Sequence, residues 1–262
     1  MTIDDLLTAM HLPAPAVTAQ RVAKDLLSKQ ASTPADRRLI AAGIERLTWR
    51  ATIKTATTGL LADSDDLRLE EQTPIVEIVV LTLTLKPGLT PARRTRLETL
   101  VHRSIAYPTL LASVDDATGL RLSLAAKRMS DVTAAATVLD GDVLAADVEA
   151  MPVEVLANFK MAIALPASAR RIRDVWMQWR RCIVALQIAA VTGVFELSLE
   201  DEKRSESLAT LEQLQAELKR LQREVRGERQ IARQGELNLA IRNVRRQIEA
   251  VPRTLAGQPA IP

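Results

Sequence analysis

The sequence predicts an α+β protein, with a small mixed β-sheet, flanking helices and a C-terminal antiparallel helical hairpin of coiled-coil type. Three observations predict this class. The stretch from Ile75 to Leu85 (IVEIVVLTLTL) is rich in β-branched residues and is followed by Pro87-Gly88, as expected of a buried strand. Helical patterns precede and follow that stretch. Two runs of apolar residues at heptad spacing occupy the last quarter of the chain.

Composition is that of a globular protein and excludes several classes of function. The 262 residues are 47% hydrophobic and 26% charged, which suffices for a sizeable core. Aromatic residues make up only 2%, which argues against a single-strand nucleic-acid binder that relies on base stacking. A single cysteine, an acidic N-terminus and the absence of a membrane-spanning apolar run lead us to expect a cytoplasmic protein with no membrane partner.

The N-terminal segment, residues 1–70, is predicted to be helical. Thr33 and Pro34 form a helix start, with proline at the first helical position. The apolar face of that helix is predicted to comprise Leu39, Ile40, Ile44, Leu47 and Ile53. Gly59 and the acidic cluster at 63–66 are expected to end the helical segment.

Residues 71–150 are predicted to form a βαββ-type sheet with an extra hairpin. After the first strand, Thr90-Pro91 starts a helix that reaches Ile105. Further strands are predicted at 109–114, 120–125, 132–139 and 143–148. The last two are predicted to pair around Asp140-Gly141, because Asp-Gly favours the two-residue turns of hairpins.

Residues 151–199 are predicted to be helical again, with a break at Pro166. The helix after the break carries apolar residues on one face and arginines on another, by 3.6-residue periodicity. These arginines, with two lysines elsewhere, are the candidate nucleic-acid contacts: Arg170, Arg173, Arg180, Arg181, Lys24 and Lys127. Any such contact is expected to be with the phosphate backbone and to weaken with salt.

Residues 200–256 are predicted to form the helical hairpin, followed by a tail at 257–262. The twelve residues from Val225 to Leu237 would rotate the apolar stripe of one straight helix by about 120°. Folding the chain back near Ile231 instead brings the stripes together and places the acidic residues of 200–218 beside later arginines. A kinked helix and an antiparallel homodimer remain as alternatives.

No motif for nucleotide binding or for a zinc site is present, and we expect no cofactor. The buried-looking Cys182 is expected to be a packed thiol. The enzymatic alternative is a divergent metal-dependent nuclease that uses Asp115, Asp116 and Lys127. It is disfavoured because Ala125, two residues before Lys127, cannot bind a metal ion. Lys127 is otherwise expected to be a solvent-exposed charge at a strand end.

The chain resembles a bacterial family of unknown function whose genes lie beside SNF2-like helicases and adenine-specific DNA methyltransferases. The resemblance covers nearly the whole chain, and the sequence departs from the family pattern in an insertion near 131–150 and in a less regular N-terminal segment. It is carried by ordered motifs: Gln20–Lys24 (QRVAK), Gly43–Trp49 (GIERLTW, expected to be helical), Val76–Leu85, Ala106–Pro108, Ala126-Lys127, Glu228–Gln230 and Glu236–Asn238.

The resemblance implies an accessory subunit of a restriction-modification-like or anti-phage defence system. Its expected partners are an SNF2-like helicase, a DNA methyltransferase, or both. The candidate docking residues near the hairpin tip are Glu228, Arg229, Gln230, Arg233, Glu236 and Asn238, which otherwise serve to cap the helices. Glu45, Arg46 and Trp49 are likewise candidates either for partner docking or for a structural role, and Trp49 is expected in the core.

We therefore expect a non-catalytic binding module that positions a helicase or methyltransferase on DNA. The alternatives are the divergent nuclease and a purely structural homo-oligomer held together by the hairpin.

Overall fold

The computed structural model describes residues 1–63, 74–116, 119–130, 137–149 and 151–197, and, nearer the C-terminus, 210, 213–214, 217–218, 220–225 and 230–255. The chain forms two compact units, Met1–Leu186 and Gln187–Pro262. The helices of the described ranges include none with the length and apolarity that a bilayer crossing requires.

The first unit is built on a six-stranded mixed sheet whose strands lie side by side in chain order. Its strands are β1 (Val17–Arg21), β2 (Ile44–Lys54), β3 (Glu77–Leu85), β4 (Thr109–Asp115), β5 (Gly119–Met129) and β6 (Thr137–Asp147). Strands β3 and β4 pair in parallel, and every other neighbouring pair is antiparallel. The fold is thus mixed α/β.

Helices connect and cover these strands. They are α1 (Ile3–Ala9), α2 (Lys24–Gln30), α3 (Pro34–Gly43), α4 (Thr55–Thr58), α5 (Pro91–Ser104), α6 (Val153–Ala162), α7 (Ile172–Thr192) and the C-terminal helix (Ile231–Leu255). The predicted starts of α3 and α5 are confirmed, since the Thr33 and Thr90 hydroxyls accept the Asp36 and Arg93 backbone N–H groups at 3.1 and 3.4 Å.

One apolar core lies between the sheet and helices α2, α3 and α5. Strand β3 alternates Val79, Leu81 and Leu83 toward this core, and it is buried along its other face as well. The helices contribute Leu27, Ile40, Leu97, Leu100 and Val101. The near-continuous apolar sequence of β3 follows from this central position, because a strand covered on both faces has no solvent-facing side.

The helical prediction for 44–53 is wrong, because these residues form strand β2. Its pairing with β3 slips between Ile44 and Arg46 and again between Trp49 and Ala51. Each bulge adds a residue, so the buried positions fall at spacings of three and four instead of two. The strand therefore imitates the periodicity of a helix. The short strand β1 also lies within the segment predicted to be helical.

The hairpin predicted around Asp140-Gly141 is also wrong in the described residues. Strand β6 continues through this dipeptide, and Leu144 pairs with Leu124 while Asp140 pairs with Ala126. The extra residues form a bulge in β6, where Gly141 adopts a φ of 73°. Asp-Gly did mark a position that needs positive φ, but that position lies within a strand. Residues 131–136 lie outside the described ranges.

The second unit contains helical residues between Thr210 and Val225 and the C-terminal helix. Its apolar cluster joins Leu221 to Leu237, Ile241 and Val244. Partly buried residues extend the cluster on either side: Leu214, Leu218, Val225, Ala240 and Ile248. The two heptad runs of the sequence thus meet through their apolar positions.

Candidate functional site

The nuclease alternative depends on Asp115, which lies at the end of β4 and is buried. Its carboxylate forms an ion pair with Arg94 of helix α5, with 3.1 Å between Asp115 Oδ2 and Arg94 Nη1. The same guanidinium donates to the backbone carbonyls of Ser113 and Gly119 at 2.9 and 3.1 Å. Asp115 therefore stabilises, through Arg94, the packing of helix α5 on the sheet.

Glu98, one turn after Arg94 on α5, extends this buried network. It lies 3.1 Å from Arg94 Nε, and its second oxygen lies 3.3 Å from Arg121 Nε on β5. The Ser113 hydroxyl donates to Glu98 at 2.5 Å, and Arg121 also pairs with Asp147 on β6. Guanidinium and carboxylate groups thus alternate along α5, β4, β5 and β6, so that the buried charges neutralise each other.

Lys127, the third residue of the proposed nuclease site, was expected at a solvent-exposed strand end, and this is wrong. Strand β5 continues to Met129, and Lys127 is only 5% exposed. Its ammonium donates to the backbone carbonyl of His102 on α5. Burial lowers the pKa of Lys127 to about 8. Reaching a phosphate would require this lysine to leave the core.

His102 is fully buried beside Lys127, and its Nε2 lies 2.9 Å from the Ser123 hydroxyl oxygen on β5. Burial lowers its pKa to about 3, and the neighbouring Lys127 charge acts in the same direction. Its Nδ1 has no hydrogen-bond partner within the described part of the chain. His102 is therefore held as a neutral imidazole.

The register of the sheet separates the proposed nuclease residues. Asp115 pairs with Gly119, and Lys127 follows eight residues later on the same strand β5. At about 3.3 Å per residue, the two lie roughly 26 Å apart along the strand, too far to share a metal ion. In the described ranges, no group of three or more histidine, cysteine, aspartate or glutamate side chains is arranged to hold a metal.

Of the four arginines predicted on one helix face, Arg173, Arg180 and Arg181 lie on α7, whereas Arg170 precedes the helix. Arg173 forms an ion pair with Asp63, with 2.5 Å between Nη2 and Oδ2, and Arg181 is half-buried. Arg170 and Arg180 are exposed. Only these two of the four can reach a phosphate without first breaking another contact or leaving a half-buried position.

The predicted docking residues lie around the start of the C-terminal helix. Arg233 and Glu236 form an exposed ion pair, with 2.6 Å between Nη1 and Oε2. Gln230 and Asn238 are exposed as well. Because Leu237 and Ile241 make the apolar contacts, packing does not require these polar side chains. Glu228 and Arg229 lie outside the described residues.

The remaining candidates are distributed over the first unit. Lys24 is half-buried at the start of α2, and its ammonium donates to the Ile44 carbonyl. Trp49 was expected in the core but is half-buried at its margin, where its Nε1 donates to the Thr52 hydroxyl at 2.8 Å. Glu45 and Arg46 are exposed, and Cys182 is buried as predicted.

The fold and these contacts define a mixed α/β protein with a helical second unit. The model of one protein family, described as a domain of unknown function (DUF4391), matches residues 10–248. The chain belongs to this family. The chain has no significant match among curated proteins or among solved structures.

Proposed function

We propose that this protein is a non-catalytic accessory subunit of a bacterial restriction-modification-like or anti-phage defence system. In this proposal it acts in the cytoplasm, docks an SNF2-like helicase or a DNA methyltransferase, and contacts the DNA backbone. The ordered motifs of the sequence motivate this role. Two observations favour this role over the nuclease. Asp115 is buried and paired with Arg94, and Lys127 lies roughly 26 Å away along the strand.

The observation that carries the docking proposal is that buried apolar and exposed polar residues occupy different positions on the C-terminal helix. Leu237, Ile241 and Val244 face the apolar cluster. The polar residues around the helix start are exposed: Arg233, Glu236 and Asn238. A partner can therefore bind them without competing with the apolar contacts that hold the second unit together.

The docking arm itself is proposed to be an antiparallel hairpin centred near Ile231. The apolar cluster contains residues at equal sequence separations on either side of Ile231, and folding the chain there would set Leu221 opposite Ile241 and Leu218 opposite Val244. To test this, Leu221→Cys/Ile241→Cys is oxidised in a Cys182→Ser background at high dilution. A cross-link within one chain supports the hairpin, a cross-linked dimer supports the antiparallel dimer, and no cross-link contradicts both.

The docking surface is tested with Gln230→Ala/Asn238→Ala in a pull-down against the purified helicase and methyltransferase of the same locus. The matched control is Asn243→Ala/Gln247→Ala, which removes two exposed polar side chains farther along the same helix. Loss of binding in the first variant alone supports docking at the helix start. Equal binding by both variants places the surface elsewhere, and no binding by the intact protein rejects the adaptor role.

A further inference from the structure

Two adjacent cavities open along strand β1, the beginning of helix α2 and strand β2. Their volumes are about 720 and 500 Å³, and they share Arg21, Val22 and Ala23 as lining residues. We refer to them together as the β1–α2 groove. Each of the two cavities has the volume of a ligand site, which is typically about 300–1,000 Å³.

The groove is formed where two separate segments of the sequence pair. Gln20 on β1 lies opposite Trp49 on β2, Arg21 lies opposite Thr48, and the Val22 N–H donates to the Leu47 carbonyl at 2.9 Å. The QRVAK and GIERLTW motifs of the sequence are thus neighbours in the sheet. Their pairing places the cations of both segments on one groove.

The described lining of the groove is cationic, with Arg21, Lys24, Arg46 and Lys54 and no acidic side chain. Arg21 and Arg46 are exposed and form no ion pair with any described residue. Elsewhere in the same unit, Arg94, Arg121 and Arg173 are each paired with carboxylates. Lys54 is partly balanced, because it pairs across the sheet with Glu77.

Unpaired guanidinium groups in a concave site bind phosphate, and their planar donors match its oxygens. Arg21 lines both cavities, so one arginine lies where two successive phosphates of an extended strand can approach. Trp49 lines the larger cavity and offers one aromatic contact. A cationic groove beside an aromatic side chain is the usual arrangement in proteins that bind single-stranded nucleic acid. A duplex is convex and cannot place its backbone as deeply in such cavities.

We propose that the β1–α2 groove binds the phosphodiester backbone of single-stranded nucleic acid. The inference rests on the proposed nucleic-acid contact and gives it a location and a ligand class. Recognition is through the backbone, because the low aromatic content leaves few platforms for bases.

The test measures binding of labelled oligodeoxythymidine by fluorescence anisotropy over a series of salt concentrations, with a duplex of equal length in parallel. Arg21→Ala/Arg46→Ala removes the two unpaired groove cations. Arg170→Ala/Arg180→Ala removes the same charge from two exposed positions near α7. We expect the groove variant alone to weaken binding, by roughly tenfold, and to reduce the log–log salt slope by about 1.4.

Loss of affinity only in the Arg170/Arg180 variant overturns the groove but leaves the proposed DNA contact intact. If the intact protein binds neither oligonucleotide, the groove and the DNA contact both fail, while partner docking is still decided by the pull-down. Tighter groove-dependent binding of the duplex overturns the choice of a single strand. Equal competition by free thymidine monophosphate identifies a small phosphorylated ligand and also overturns the proposal.

Tryptophan fluorescence supplies a second, charge-independent readout. Trp176 is 5% exposed and Trp179 is fully buried, whereas Trp49 is half-buried and lines the groove. Oligonucleotide binding should therefore protect the protein's fluorescence from acrylamide, a neutral quencher, and Trp49→Phe should abolish that protection. Protection that persists in Trp49→Phe contradicts binding in the groove.

Discussion

Arg94 of helix α5 and Asp115 of strand β4 form a buried ion pair, with 3.1 Å between Nη1 and Oδ2. The two residues are 21 positions apart in the chain. The pair joins the helix that crosses between β3 and β4 to the end of the second of these strands. An acidic residue that looked like a metal ligand in the sequence is thus part of the structural framework.

Replacing Arg94 by methionine should destabilise the first unit by about 3–5 kcal/mol, because it leaves the buried carboxylates of Glu98 and Asp115 without their main counter-charge. The free energy of unfolding in urea measures the effect. Arg50→Met is the control, since Arg50 pairs with the largely exposed Asp4 and should cost about 0–1 kcal/mol. Equal effects of the two substitutions would contradict a structural role for the buried network.

His102 should make the protein less stable as the pH falls from 6.5 toward 3. Its pKa is about 3 in the folded protein and near 6.5 when unfolded, so in this window the unfolded chain binds the extra proton. The resulting loss is about 2 kcal/mol at pH 5. Urea unfolding of the intact protein and of His102→Gln at pH 7 and pH 5 isolates this contribution, because the other titrating groups are common to both.

An equal or smaller loss of stability in the intact protein than in His102→Gln would contradict the prediction, because the folded protein would then bind the proton at His102 at least as readily as the unfolded chain.

Gly43→Ala should destabilise the first unit by about 1–3 kcal/mol through overpacking. A Cβ atom at Gly43 would lie 2.6 Å from Leu97 Cδ1 and 3.3 Å from Leu89 Cδ2. Gly235→Ala is the opposite case, since a Cβ there meets nothing within 4 Å and the residue lies in the C-terminal helix. That substitution should stabilise the helix by about 1 kcal/mol. Thermal unfolding, monitored by circular dichroism, distinguishes the destabilisation expected for Gly43→Ala from the stabilisation expected for Gly235→Ala.

The apolar cluster of the second unit should depend on Ile241 and not on its neighbour Leu239. Ile241 is 8% exposed and Leu239 is 62% exposed. Ile241→Ala should therefore cost about 2–4 kcal/mol, and Leu239→Ala less than about 0.5 kcal/mol. The loss of helical circular dichroism on heating reports the difference. Comparable losses would mean that the cluster does not stabilise the C-terminal helix.

The elements that the sequence predicted well are those with local signals. Thr33-Pro34 and Thr90-Pro91 mark helix starts, and the apolar run at Ile75–Leu85 marks the central strand, in agreement with the structure. Strand β2 was missed because its two bulges give buried residues a helical spacing. A bulge depends on pairing with another strand, and one sequence read locally does not contain that partner.

The candidate sites also depend on long-range pairing, which a local reading of the sequence does not reveal. The nuclease alternative grouped Asp115 with Lys127, but the length of β5 carries Lys127 away from the turn that follows Asp115. Conversely, Lys24 was the one groove cation selected from the sequence as a nucleic-acid contact, and Arg46 was considered only for partner docking or a structural role. Arg21, Arg46 and Lys54 join Lys24 through the pairing of β1 with β2 and the spacing along β2. The QRVAK and GIERLTW motifs carried these residues in the sequence, but nothing in the sequence showed that the two motifs pair.

The strands of the sheet lie in space in the order in which they occur in the chain. During synthesis, each strand therefore finds its neighbour already made, and no strand has to wait for a distant segment to emerge from the ribosome. Each pairing joins strands that are consecutive in the chain, which favours rapid assembly. The first unit can be complete while the last helices are still being translated, so a nascent chain can already carry a folded sheet before its C-terminal unit appears.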